Sequence, residues 1–262
     1  MTRFERYVAI GDSSTEGLLD LDVDDEMHGW SFRLAGRIAA AQGGLLYANL
    51  AARGATTRQI VTRQLDRALA MQPDLATVFS GTNDVISRRF EVREFAGDVR
   101  EIQRSLRGAG ATVLTFTLPD LTPLLPLARA IAPRIREMND AVRAACAETG
   151  TLLLDFAQLP LATDPRLWDE DRIHANAAGH ERIAAALAHA LVLPGANDDW
   201  RQPLPPLARP GPLAVAWGEI RWWLRHYVPW IVGARLGSGA ARSFEGRVPT
   251  LKPVSGRAAA SG

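Results

Sequence analysis

Four short polar fragments carry side chains whose types suit nucleophilic acyl transfer. Ile10-Gly11-Asp12-Ser13-Ser14 closes a short apolar run with a serine, and such a hydroxyl becomes a nucleophile when a neighbouring base takes its proton. Asp171-Arg172-Ile173-His174 offers the base. On a turn of near-helical geometry, a three-residue separation puts carboxylate and imidazole on one side, so Asp171 accepts from Nδ1 and Nε2 is left facing Ser13. Asn49-Leu50-Ala51-Ala52-Arg53-Gly54 and Gly81-Thr82-Asn83-Asp84 supply donors for a developing oxyanion. At Gly54 the backbone N–H is not hindered by a Cβ, and Asn83 brings a side-chain amide that keeps its donor character across working pH. Asp12 suits a role in holding its own loop through local amides. Taken singly, each fragment is equally an ordinary turn, helix cap or surface pair.

What gives them weight is the framework that must carry them. The runs Tyr7 to Ile10, Leu45 to Leu50, Leu75 to Phe79, Thr112 to Phe116 and Leu152 to Leu154 are short and apolar on successive residues, as strands covered on both faces are. Between them lie stripes at helical spacing: Trp30, Leu34, Ile38; Ile60, Leu65, Leu69; Phe95, Val99, Ile102, Leu106; and Ile183, Leu187, Leu191. This alternation predicts βα units around a parallel sheet. Right-handed crossovers then bring all five strand C-termini to one rim, where α/β proteins build their sites. The fragments at 10–14, 49–54 and 81–84 follow strands directly and the one at 171–174 follows the last strand by a loop, so all four meet at that rim.

In this order the fragments resemble the SGNH hydrolase (GDSL-like lipase/esterase) family, whose name lists the Ser, Gly, Asn and His found here as Ser13, Gly54, Asn83 and His174. The resemblance spans roughly residues 5 to 192. It implies an α/β fold of three layers, α/β/α and flavodoxin-like, with a five-stranded parallel sheet, and ester hydrolysis with no metal and no cofactor. It also assigns roles: Ser13 as nucleophile, His174 as base, Asp171 as its orienting acid, and an oxyanion hole from the backbone N–H groups of Ser13 and Gly54 and the amide of Asn83. The residue after Gly-Asp-Ser, often leucine in the family, is Ser14 here, which bears on local packing. Its place after Gly-Asp gives Ser13 the stronger claim to be the nucleophile. Trp168, Ile173 and Val85 are candidates to line the substrate, and Leu121 to Pro126 either flanks the acyl pocket or is buried. The same site would attack thioesters or lysophospholipids. From another class, the alternative is a non-catalytic flavodoxin-like module binding phosphate or nucleotide, against which stands the absence of a Walker or dinucleotide glycine loop.

A chain of 262 residues with a 47% hydrophobic share is long enough for one α/β domain and a modest appendage. The reading divides it into a catalytic domain over 1–193, a Pro-rich linker over 194–212, a Trp-rich amphipathic helix over 213–236 broken near Pro229, and a disordered tail over 237–262. Net charge is +1, which gives no reason to expect nucleic acid as a partner, although the residues from Pro194 onward are basic. Trp217, Trp222, Trp223 and Trp230 with Arg221, Arg225 and Arg235 suit either an anionic bilayer surface or docking on the domain or a second subunit. The single cysteine, Cys146, excludes an intramolecular disulfide and fits a core position. The run before Ser13 is too short for a secretion signal, and no stretch reaches the ~18 apolar residues of a membrane span, so a cytoplasmic protein is expected. Asp20, Asp22, Asp24 and Asp25 imitate a calcium loop, but lack its glycine and have Ser31 where the bidentate glutamate belongs. They read as a solvated loop beside the site. His28, next to Gly29-Trp30, either lines the mouth of the site or faces solvent, and His180 and His189 on the last helix lack the spacing of a zinc site.

Overall fold

Successive residues of the first apolar run are buried on opposite sides of one strand. Tyr7 and Ala9 join one hydrophobic cluster, and Val8 and Ile10 join another. Leu75 and Phe79 divide in the same way from Ala76 and Val78. Strands apolar on both faces need cover on both. In the computed structural model, which describes residues 3–20, 28–206, 211–227 and 244–255, helices supply that cover.

The chain runs β1 (Arg6–Gly11), α1 (Ser13–Glu16), α2 (Gly29–Gln42), β2 (Leu45–Asn49), α3 (Thr57–Ile60), a π turn (Val61–Leu65) and α4 (Asp66–Ala70). It continues through β3 (Leu75–Phe79), α5 (Thr82–Ile86), α6 (Val92–Gly108), β4 (Thr112–Phe116), α7 (Ala132–Thr149), β5 (Leu152–Leu154), α8 (Ala177–Ala190), α9 (Pro212–Trp222) and β6 (Val248–Val254). The sheet order is β5-β4-β3-β1-β2-β6, with the first five strands parallel. Helices α2 and α8 contribute Trp30, Leu34, Ile38, Ala184 and Leu187 to the Tyr7 side, while α3, α4 and the Ile102–Leu106 stripe of α6 cover the Val8 side. This is the three-layer α/β/α arrangement.

Two features depart from the sequence reading. The sheet has six strands, and the sixth comes from residues 248–254, inside the segment expected to be disordered. β6 pairs antiparallel with β2, Leu45 opposite Val254 and Leu46 opposite Pro253. Its two prolines are tolerated because an edge strand has N–H groups that need no partner within the sheet. Arg67 ties its approach by donating to the carbonyls of Phe244 and Glu245 at 2.6 and 2.8 Å. Gly246 follows at φ 82°, so close that a Cβ would stand 2.7 Å from the carbonyl oxygen of Asn49. The second departure lies in the expected linker, where Asp199–Arg201 forms a 3-10 turn and Trp200 is buried against the main core. The expected break near Pro229, together with Trp230 and Arg235, lies outside the described residues.

The π turn explains a spacing that a regular helix does not. Ile60 and Leu65 are both buried although five residues apart. One extra residue in the turn keeps them on the same face. The turn also sends Gln64 inward, where its amide accepts from Gly11 N at 2.8 Å and donates to Gly11 O at 2.9 Å. The end of β1, immediately before Asp12 and Ser13, is thereby fixed on both sides of one residue. A larger residue at 11 does not fit: its Cβ would stand 2.5 Å from the carbonyl oxygen of Phe79.

Candidate active site

The tight exit from β1 delivers Ser13 to the first position of α1, where Asp12 caps the helix by accepting from Ser14 N at 3.0 Å. The amide of Ser13 is among the first N–H groups of that turn, which have no intrahelical acceptor. Its side chain meets the other end of the domain: Ser13 Oγ lies 2.8 Å from His174 Nε2, across 161 residues of sequence.

His174 is held by a compact hairpin. Trp168 and Ala175 form an antiparallel bridge, Asp169 N donates to His174 O at 2.8 Å, and Arg172 N donates to Asp169 O at 2.9 Å. Asp171 turns one carboxylate oxygen to the backbone, Oδ1 accepting from the amides of Ile173 and His174 at 2.9 Å each. The other oxygen, Oδ2, stands 2.6 Å from His174 Nδ1. Burial pushes the Asp171 carboxyl up, but the bond from His174, its charge and the two amides outweigh it and hold the group below the usual carboxylate value. With Nδ1 donating to this carboxylate, Nε2 is left as an acceptor for the Ser13 hydroxyl proton. Asn176 then caps α8, its Oδ1 accepting from Gly179 N and its Nδ2 donating to the carbonyls of Arg166 and Trp168.

The expected donor residues are tied to the same frame. Asn83 Nδ2 donates to Ala55 O at 3.1 Å and lies 3.5 Å from Asp12 Oδ2, so it spans the loops that follow β1, β2 and β3. Gly54 adopts φ 72° in a turn closed by Ala55 N donating to Ala52 O. Asp84 secures these loops by accepting from the Thr57 amide at 3.0 Å. Its carboxyl is raised by burial, against the bonds from Thr57.

Of the expected lining residues, Trp168 and Ile173 border a cavity with Asp12, Ser13 and His174, and the Trp168 indole donates to Ala162 O at 2.9 Å. Val85 does not line it. It is fully buried in the core, because two residues along α5 from Asn83 a side chain faces roughly the opposite way. Leu121 and Leu124 are buried too, and Leu118 and Pro119 border the cavity in their place. His180 is a core residue, its Nδ1 accepting from Trp30 N at 3.1 Å, and burial lowers its pKa to about 4 against the pull of Asp20. Cys146 is buried as expected, which raises its thiol to about 11. Among the described residues no group of three or more His, Cys, Asp or Glu side chains is placed to hold a metal ion, and no helix is long and apolar enough to cross a membrane.

One contact gave no signal in the sequence. Arg172, wedged between Asp171 and His174, adopts φ 62°, a left-handed conformation that costs a side-chain-bearing residue about 1–2 kcal/mol. Its guanidinium is gripped from outside the hairpin. It donates to both Glu219 oxygens at 3.0 and 2.7 Å and to Leu124 O at 3.2 Å, and it stacks on Trp222 with its carbon 4.8 Å from the ring centroid. Helix α9 thus docks on the loop that holds the imidazole. Its Trp217 and Ile220 are exposed, as is Leu224 just beyond its end.

A family model described as GDSL-like Lipase/Acylhydrolase family matches residues 9–182. Solved structures share the fold. An alpha/beta hydrolase enzyme from the metagenome of Lake Arreo, Spain, is 23% identical at a TM-score of 0.60, the match covering 71% of this chain and 94% of that one. A catalytic mutant of an acetylxylan esterase from Geobacillus stearothermophilus is 18% identical at a TM-score of 0.60, over 75% of this chain and 95% of that one. The psychrotrophic esterase EstA from Pseudoalteromonas sp. is 17% identical at 0.57, over 72% and 97%. A search of curated proteins finds no match.

Two outcomes are expected from this geometry. Burial, opposed by the Ser14 amide and the charge of His174, raises Asp12 to about 7. Since an unfolded aspartate titrates near ~3.9, the folded state holds the extra proton between those values. Stability therefore falls as pH rises through that window, and the loss is complete above about 7. Urea midpoints measured from pH 5 to 8 should decline less steeply in Asp12→Asn than in the wild type; equal slopes would refute the assignment. Separately, Glu219→Gln should speed amide exchange at Ile173 and His174, read by hydrogen exchange, with α2 and α6 unchanged as internal controls.

Proposed function

This chain belongs to the GDSL-like lipase/acylhydrolase family, and we propose that it is a serine hydrolase that cleaves carboxylic esters through an acyl-enzyme. The observation that carries the reading is the continuous series Asp171 Oδ2, His174 Nδ1, His174 Nε2 and Ser13 Oγ, at 2.6 and 2.8 Å.

His174 takes the hydroxyl proton as Ser13 Oγ bonds to the ester carbonyl carbon, and Asp171 stabilises the imidazolium that forms. The carbonyl oxygen, now an oxyanion, is received by the Ser13 and Gly54 amides and the Asn83 side chain. Asn83 Nδ2 donates to Ala55 O at 3.1 Å and reaches Asp12 Oδ2 at 3.5 Å, and in this reading the longer of the two contacts gives way to the oxyanion. Collapse breaks the bond to the alcohol, which leaves with the proton from His174. Water, deprotonated by the same imidazole, then attacks the acyl carbon, the bond to Ser13 Oγ breaks, Oγ takes the proton back from His174 and the acid is released. Thioesters and lysophospholipids present the same reacting carbonyl, and the comparison of leaving groups separates them.

Ser13→Ala should abolish hydrolysis of a short p-nitrophenyl ester and covalent labelling by a fluorophosphonate, with an unchanged melting temperature. Retained turnover would overturn the reading, and so would unchanged labelling. Asn83→Ala should lower kcat by about 10²–10³ with a much smaller change in KM, whereas an effect confined to KM would move Asn83 from the oxyanion to substrate binding.

A further inference from the structure

The cavity beside Ser13 has a short polar end and a long apolar remainder. Asp12, Ser13, Ser14, Thr82 and His174 form the polar end. From there the wall follows the C-terminal ends of the strands outward, Phe79 closing β3, Phe116 closing β4 and Phe156 following β5. The three rings are in series, Phe79 stacked on Phe116 at 4.3 Å and Phe116 tilted against Phe156 at 5.3 Å. In the sheet order β1 stands three places from β5, and neighbouring strands lie ~4.8 Å apart, so the row extends roughly 14 Å from the serine.

The far end of this row is built by a residue outside the family match. Trp200, 7% exposed, stands edge-on to Phe156 at 6.1 Å. Its indole donates to His189 Nδ1 at 3.1 Å, and Arg182 fixes its backbone by donating to the carbonyls of Trp200 and Gln202 at 2.8 and 2.7 Å. A side chain anchored on two sides is a fixed wall.

We infer that the row is an acyl-chain subsite, that it takes an unbranched group of roughly six to ten carbons given its ~14 Å length, and that Trp200 sets the upper limit. This rests on the esterase reading of Ser13. The occupant is the acyl part because the alcohol departs after the first step, while the acyl group stays through the second and suits a row that ends on the buried Trp200. An acetyl group would leave the phenylalanine row uncovered. Each methylene that covers it contributes up to about fourfold in kcat/KM until the chain meets Trp200.

The test uses the full chain and two ester series: p-nitrophenyl esters from acetyl to dodecanoyl, and acetates of alcohols of increasing length. The wild type should rise from acetyl to a maximum at medium length and fall beyond it, with little dependence on alcohol length. Trp200→Ala should move the maximum at least two carbons longer. Leu161→Phe, which narrows the same cavity without opening the core at Trp200, should move it shorter. A maximum at acetyl, a length profile that neither substitution moves, or dependence on the alcohol instead of the acyl chain would each overturn the subsite. If no ester in either series turns over, the esterase reading falls and the subsite with it.

Discussion

The site depends on how one carboxylate divides its two oxygens. Asp171 Oδ1 gathers the amides of the very turn that carries the imidazole, and Oδ2 is left for His174 Nδ1. Because the same group shapes the hairpin and faces the ring, the imidazole is aimed at Ser13 by backbone geometry as much as by its own hydrogen bond. A carboxylate with only the ring to hold would leave the loop free to swing. The cost of this arrangement is visible one residue away, in the left-handed backbone of Arg172, and the grip of Glu219, Leu124 O and Trp222 on its guanidinium offsets it.

Segments beyond the family match therefore reach the site at two places. Helix α9 holds the hairpin from outside through Arg172, and Trp200 stands at the end of the apolar row. A third segment, β6, completes the sheet edge beside β2. The region that composition marks off as linker and tail is, where described, part of the domain's packing. In our reading its ligand-facing residue is Trp200 at the end of the acyl row, and Trp217 and Ile220 on α9 and Leu224 just beyond it are exposed.

Much of this was legible in the residues. Five apolar runs gave the five parallel strands at nearly their observed bounds, the texture being strongest where both faces are buried, as in β1 and β3, although β5 at the sheet edge is only partly covered. The polar fragments gave Ser13, Asp171 and His174, which the structure brings within hydrogen-bonding distance. What escaped has identifiable causes. Two prolines break the alternation of β6, and its pairing depends on the long-range tie from Arg67. The π turn appears only as a five-residue gap between Ile60 and Leu65, and Gln64 gives no hint that it points inward. Val85 lies two residues along α5 from Asn83, and helix geometry, which the fragment's composition does not reveal, turns it to the core. Trp200 stood among prolines that suggested a linker, and nothing local announces the Phe156 ring it meets.

The central claim is that Ser13, the donors on the three loops and the apolar row serve one acyl group. A crystal structure of the enzyme inactivated by a medium-chain alkylphosphonate reads all three at once. The account predicts phosphorus bonded to Ser13 Oγ, a phosphoryl oxygen within hydrogen-bond distance of the Ser13 and Gly54 amides and Asn83 Nδ2, and an alkyl chain lying past Phe116 toward Trp200. Phosphorus on another side chain, or an oxygen turned away from those donors, would contradict it.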